Sequence, residues 1–152
     1  MNIRSYDPAD LNDILMIDRQ SFPRPVTRAE FDAYLKHRNV LCVVADDGGL
    51  VVGYMLYQLG MQIRSICSIG VLRDCRRQGV GSALVKYLQD CAIVNGIDHV
   101  DAMVLVRYEA DSFLKHCGFR LRTVCKEAQF WQWRPFSECG ESVAQESERI
   151  EE

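Results

Sequence analysis

"SIGVLRDCRRQGVGSALVKYL", residues 68–88, is the stretch whose reading decides the fold. It closes an apolar run, "SICSIGVL" (65–72), that reads as a strand. Two arginines and a glutamine then lead into Gly79 and Gly81, and an apolar run of helical spacing continues to Asn95-Gly96, a helix stop. The order is therefore strand, glycine turn, helix N-terminus. Backbone N–H groups at a helix start lack intrahelical partners and carry partial positive charge. Glycines remove the side chains that would block approach to them. A phosphate or pyrophosphate is the natural occupant of such a turn, and Arg76 and Arg77 add charge. The plainer alternative is a glycine-rich turn with solvated arginines, and spacing alone leaves both readings open. Two other phosphate loops fail. A Walker A pattern is absent, and Leu84 stands where a dinucleotide fingerprint needs its third glycine. That fingerprint also belongs early in a parallel sheet, whereas three strands joined by short turns precede this loop.

Working outward, "NIRSY" alternates as a short strand, and "ADLNDILMIDRQSF" carries Leu11, Ile14, Leu15 and Ile17 or Asp18 at helical spacing. "PRP" at 23–25 breaks that helix. Thr27 with Glu30 three residues on predicts a capping box opening a second helix. "VLCVVA" (40–45) and "LVVGYMLYQL" (50–59) are strands around the turn "DDGG". "HVDAMVLV" (99–106) is another strand, "EADSFLKHC" a short helix closed by Gly118, and "FRLRTVC" with "QFWQWR" a hairpin. Trp131 and Trp133 read as packing residues of its last strand. The order predicts an α/β (α+β) class: a mixed, largely antiparallel central sheet flanked by helices.

Composition sets the remaining bounds. The 152 residues suit one domain, and a chain of this size buries about two thirds of its unfolded surface. No apolar run reaches membrane-spanning length and the N-terminus lacks a signal-peptide core, so a cytoplasmic protein without a membrane partner is expected. Residues 138–152, "ECGESVAQESERIEE", hold six glutamates and one arginine and read as a disordered acidic tail. Removing them from the net charge of −3 leaves +2 on residues 1–137, too little for nucleic-acid binding but suited to one anionic small ligand. Seven cysteines, without C-x-x-C or zinc spacing, are expected to be reduced and packed as small hydrophobes; no metal site is expected.

The quoted segment resembles the acyl-CoA loop of the GNAT N-acetyltransferases. That pattern is [Q/R]-x-x-G-x-[G/A] after an apolar strand, here Arg76, Gly79 and Gly81 after Ile69, Gly70 and Val71. The likeness extends to "SFLKHCGF", similar to the family's short helix ending in Gly-Phe. "DRQSFPRPVTRAEFDAYL" resembles the acceptor side of the branch acetylating protein N-termini, the ribosomal-protein alanine acetyltransferases. The resemblance implies the GNAT acyl-CoA N-acyltransferase fold over residues 1–137, with acetyl-CoA as acetyl donor. It implies that the backbone of Ile69, Gly70 and Val71 pairs with pantetheine. Arg76, Arg77, Gln78, Gly79, Val80 and Gly81 would take the pyrophosphate, with Ser82 at the helix start, and Phe22, Pro23, Arg24 and Pro25 would line the acceptor mouth. The amine would attack the thioester directly where strands 65–72 and 99–106 splay apart, and the N–H of Val71 would stabilise the oxyanion.

The catalytic half of the pattern is altered. The family's basic glutamate aligns with Met103 or Leu105, and its acidic tyrosine with Leu114, where a Leu114→Tyr chain is expected to fold. Tyr108 is the substitute acid and Asp101 the substitute base, acting through water. Without a strong base, an α-amine of pKa about 7.7–8 is a better acceptor than lysine at about 10.4. The expected partner is a primary amine, a peptide or protein N-terminus, with a small-molecule amine as the alternative. A weakly active acyl-CoA-binding regulatory module is the second functional class, and the chain is a monomer or homodimer.

Overall fold

The computed structural model describes residues 1–135; the acidic stretch 138–152 and Cys139 lie outside them. Its elements are β1 (Asn2–Ser5), α1 (Leu11–Ser21), α2 (Arg28–Lys36), β2 (Val40–Asp47), β3 (Leu50–Leu59), β4 (Ile63–Val71), α3 (Val80–Val94), β5 (His99–Leu105), α4 (Asp111–His116), β6 (Arg120–Val124) and β7 (Ala128–Trp133). The class is α/β with largely antiparallel strand pairing, as the sequence predicts. Contacts divide the chain into two compact units, one of Met1–Leu59 with Ile66–Leu88, the other of Gly60–Ser65 with the chain from Gln89 onward. No helix among the described residues is long and apolar enough to cross a membrane.

In the first unit the strand order is β1-β2-β3-β4. Strand β3 is buried from Val51 to Tyr57 with no polar alternation, because helices cover both its faces. Ile14 and Ile17 of α1 and Phe31 of α2 pack with Val44, Tyr54 and Leu56 on one side. Each such side chain stabilises the fold by about 1.5–3 kcal/mol. On the other side the first turn of α3 presses against Gly53, where a Cβ would lie 2.8 Å from Val80 Cγ1. The "DDGG" turn is closed by the Gly49 N–H donating to Asp46 Oδ1 at 2.7 Å.

Helix ends follow local chemistry, with one departure. The Thr27 hydroxyl accepts the Glu30 N–H at 3.1 Å and donates to the Glu30 carboxylate at 3.0 Å. The carboxylate thus meets the hydroxyl of Thr27 rather than its backbone N–H, and only half of the predicted capping box forms. In the second unit α3 and α4 end alike. Ile97 N–H reaches Ala92 O and Gly96 N–H reaches Ile93 O; Phe119 N–H reaches Leu114 O and Gly118 N–H reaches Lys115 O. This double bond pattern needs a left-handed residue, supplied by Gly96 at φ 64° and Gly118 at φ 86°. The second unit's strand order is β5-β7-β6, with Ala102 opposite Trp131 and a bulge between Leu121 and Thr123. Trp131 is buried in it, as expected.

The cysteines depart from expectation. None of the six described is in a disulfide, but Cys42 alone among them is buried, its thiol pushed up to about 12 by desolvation. Cys67 and Cys125 are exposed on strand surface and at a turn, where they fill no core volume.

One ion-pair cluster clamps the chain's start. Arg4 binds both oxygens of buried Asp10 at 2.9 and 3.0 Å and Asp46 at 2.9 Å through Nε. These guanidinium hydrogen bonds hold both carboxyls below the usual carboxylate range. A carboxyl depressed by folding contributes stability above its unfolded value, near 3.9, and loses it as pH falls through the folded value. Stability is therefore expected to drop below about pH 4. Asp10→Asn should flatten that part of the profile, read as urea midpoints at neutral and acid pH.

Candidate functional site

The end of β4 is shaped by contact rather than by side chains of its own. A Cβ at Gly70 would lie 2.8 Å from Tyr54 Cε1 and 3.0 Å from Ile17 Cγ2, so α1 and β3 approach the strand only because residue 70 is glycine. Past Val71, Leu72 N–H donates to Val52 O at 2.8 Å, and a single tight turn, Arg73–Cys75, redirects the chain. The Gln20 side chain accepts the Arg73 N–H at 2.9 Å, fastening that turn to the C-terminal end of α1.

Arg76, read from sequence as an anion ligand, is turned toward protein acceptors. Its Nε donates to Val71 O at 3.1 Å, and its Nη2 to Gln20 O at 3.2 Å and Ser21 Oγ at 3.3 Å. Two of these partners lie more than 50 positions earlier in the chain, so local spacing gave no sign of this geometry. Arg77, Gln78 and Gly79 are exposed. Arg77 adopts φ 62°, a left-handed conformation costing a non-glycine residue on the order of 1–2 kcal/mol. Gly79 follows at φ 84° with no atom within 4 Å of an added Cβ. The helix begins at Val80, two residues before the Ser82 suggested by sequence, and Ala83 N–H to Gly79 O at 3.0 Å is its first bond. The N–H groups of Val80, Gly81 and Ser82 thus precede the hydrogen-bonded ladder and carry the helix's partial positive charge. Val80 itself is buried against Gly53 and fixes the helix start. Such an N-terminus beside an open glycine can hold an anion through backbone donors.

The sequence left Ile17 and Asp18 as alternatives for the apolar stripe of α1; both are buried. Asp18 is 4% exposed. Its Oδ1 accepts the Tyr54 hydroxyl at 2.6 Å and its Oδ2 the Val26 N–H at 2.6 Å. Tyr54, 1% exposed, also meets Ser68 Oγ of β4 at 2.9 Å. Burial, then the neighbouring Asp18, pushes the Tyr54 hydroxyl well above the ordinary tyrosine range. The legible signal was an aspartate on an apolar helix face together with a tyrosine inside an apolar strand. Phe22 leaves α1 in extended conformation, its N–H on Asp18 O at 3.0 Å. Pro23, Arg24 and Pro25, all exposed, run from there to Val26.

The second unit holds the residues nominated for acid–base work. Asp101 Oδ1 lies 3.2 Å from His99 Nε2, and His99 Nδ1 lies 2.6 Å from Asp98 Oδ2. Asp101 is thus engaged with a histidine that bridges two carboxylates, an arrangement sequence reading did not foresee. The hydrogen bond from His99, with Arg134 at 3.2 Å, holds the Asp98 carboxyl below its usual range. Tyr108 sits in a single turn, Val106–Tyr108, with the Arg107 guanidinium 5.3 Å from its ring centroid. Leu114, at the position of the family's tyrosine, is 4% exposed and belongs to the core. The added ring and hydroxyl of Leu114→Tyr would overpack it, a cost of about 1–3 kcal/mol that a chain expected to fold has to absorb. Of the two residues that the resemblance sets against the family's glutamate, Met103 is 60% exposed and Leu105 is half-buried.

Comparison with known proteins places this geometry. The profile of the acetyltransferase (GNAT) family matches residues 10–119. An uncharacterized N-acetyltransferase of Methanocaldococcus jannaschii is 31% identical over 90 residues, 59% of this chain and 58% of that relative, so the match spans less than two thirds of its length. A ribosomal-protein alanine N-acetyltransferase from Escherichia coli superposes with a TM-score of 0.80 at 21% identity, covering 92% of this chain and 96% of that one. An aminoglycoside 6′-N-acetyltransferase complexed with coenzyme A gives 0.76 at 15% identity over 90% and 98% of the two chains. At these identities the structures establish a shared fold.

The crowding at residue 70 yields a direct test. Gly70→Ala should lower stability by about 1–3 kcal/mol through overpacking against Tyr54 and Ile17, measured by urea denaturation; Gly79→Ala, in open space, should cost only its left-handed strain, on the order of 1 kcal/mol.

Proposed function

The chain belongs to the GNAT acetyltransferase family, acyltransferases that draw on acetyl-CoA, and from that membership we propose that it transfers an acetyl group to a primary amine, an α-amine at a peptide or protein N-terminus. The observation that carries the reading is the turn into α3: exposed Gly79, then the N–H groups of Val80, Gly81 and Ser82 ahead of the first helical bond. In this reading those donors hold the pyrophosphate of acetyl-CoA, assisted by Arg77 and Gln78. Arg76 acts by bracing the turn against α1 through Gln20 and Ser21. The backbone of Ile69, Gly70 and Val71 carries the pantetheine arm, and the Val71 N–H faces the developing oxyanion. The Val71 carbonyl already accepts from Arg76, so pairing with the arm falls to the other main-chain groups of this stretch. Phe22, Pro23, Arg24 and Pro25 border the acceptor.

Chemistry favours an α-amine. At pH 7 an amine of pKa about 7.7–8 is neutral in roughly 10–15% of molecules, and lysine in well under 0.1%. Positioning amine and thioester together contributes several kcal/mol, up to roughly 7–11 in ideal cases. Tyr108 is kept as the donor to the departing thiolate, from its place in the sequence motif. The buried Leu114 favours a second reading, a coenzyme-binding module with little turnover. Free-thiol release from acetyl-CoA with a panel of amines separates the two.

Acetyl-CoA should raise the melting temperature, by about 2.7 kcal/mol of stabilisation at a hundredfold excess over Kd. Gly79→Glu should abolish that shift, since it puts a negative side chain on a left-handed residue at the helix start; a retained shift would move the site elsewhere. A peptide with a free N-terminus should be acetylated at pH 7 at least about tenfold faster than its N-blocked, lysine-containing counterpart, read by mass spectrometry.

A further inference from the structure

Amide formation requires that the attacking nitrogen lose a proton, and the position of the family's base holds exposed Met103 or half-buried Leu105. The nominated substitute, Asp101, is engaged with His99. Elsewhere, in the first unit, three groups form a continuous hydrogen-bonded chain: Ser68 Oγ to Tyr54 Oη at 2.9 Å, and Tyr54 Oη to Asp18 Oδ1 at 2.6 Å. Its direction follows from donor inventory. With Val26 N–H and a phenol both donating to it, the Asp18 carboxylate is an acceptor only, so the Tyr54 proton points to Asp18. Ser68 must then donate to Tyr54, which leaves the lone pairs of the half-buried Ser68 oxygen as the acceptor at the outer end.

Position adds a second argument. Ser68 directly precedes Ile69, Gly70 and Val71, and in a strand it shares a face with Gly70. Tyr54 touches both positions, 2.9 Å from Ser68 Oγ and 2.8 Å from a Cβ at Gly70. We propose that Ser68, Tyr54 and Asp18 form a proton relay that takes the proton from the acceptor nitrogen; this rests on the reading of residues 69–71 as the thioester-binding stretch. As the nitrogen lone pair forms the C–N bond, an N–H proton passes to Ser68 Oγ, the Ser68 proton to Tyr54 Oη, and the Tyr54 proton to Asp18 Oδ1. The tetrahedral intermediate then collapses, breaking the C–S bond and releasing coenzyme A thiolate, which takes its proton from the donor already proposed, Tyr108, itself reprotonated from solvent. Asp18 returns its proton along the same chain to water, so amine and acetyl-CoA become amide and thiol with all protons accounted for. Raised above its ordinary range by burial, Tyr54 keeps its proton at neutral pH and serves as a conduit rather than a base.

The charged or titratable neighbours do not mimic this behaviour. Cys42 of β2 interacts with Tyr54, and burial keeps its thiol protonated to about 12. Arg76 is bonded to Val71 O, Gln20 O and Ser21 Oγ, none of them in the relay. The test is the pH dependence of turnover from about pH 6 to about pH 9 for wild type, Ser68→Ala, Tyr54→Phe and the double variant. Each single variant should be roughly 100-fold or more slower at pH 7. The deficit should narrow as hydroxide takes over the proton, and the double variant should be no slower than either single one. Acetyl-CoA binding, by thermal shift, should not change. Wild-type turnover reports on the transferase reading; the variant-to-wild-type ratio and its slope with pH report on the relay. Wild-type turnover in Ser68→Ala, or a deficit of equal size at every pH, would overturn it.

Discussion

A carboxylate cannot sit in an apolar interior without donors, and Asp18 sits in one. That requirement organises the first unit. Two donors meet it, the Tyr54 hydroxyl from β3 and the Val26 N–H from the segment after α1, and Tyr54 reaches on to Ser68 of β4. One side chain thereby fixes the rotation of α1, the exit path through Phe22 and Pro23, and the facing of two neighbouring strands. Loss of either donor would leave a buried acceptor unsatisfied, a cost of about 1–3 kcal/mol. The same crowding explains why residue 70 is glycine: the Tyr54 ring that reaches Asp18 lies where a Cβ would be.

Much of the fold was legible because it is written in neighbouring residues. Gly79, Gly96 and Gly118 all adopt the left-handed conformations that their positions after a strand or at a helix end require. Thr27 caps α2 as its spacing with Glu30 implies, although the returning carboxylate takes the hydroxyl instead of the backbone. What escaped was decided by groups distant in sequence. Periodicity could not choose between Ile17 and Asp18, since consecutive residues can both face inward when one finds a polar partner 36 positions away. The bonds that Arg76 makes to Gln20 and Ser21 were illegible because those partners lie more than 50 residues earlier. Leu114 was read from motif position alone, and its burial depends on packing that no local pattern records.

The candidate site divides along the same line. Its backbone portion, built from a strand end, a turn and a helix start, needs only glycine and local geometry, and these are present in the sequence. Proton chemistry depends on side chains assembled from separate elements. Asp101 carries a suitable group yet is held by His99, and Tyr108 lies beneath the Arg107 guanidinium. Asp18 and Tyr54, both buried, share a 2.6 Å hydrogen bond that no motif points to.

The bulge in β6 has a bearing on self-association. In the second unit β6 lies at the end of the strand order, and the slip between Leu121 and Thr123 interrupts its ladder. An outer strand with an even row of unpaired amides and carbonyls recruits strands from other molecules. The extra residue, Arg122, twists this one out of register. In the first unit, β1 has only four residues to offer a foreign strand. Growth of ordered aggregates by strand addition at β6 or at β1 is thus discouraged by geometry.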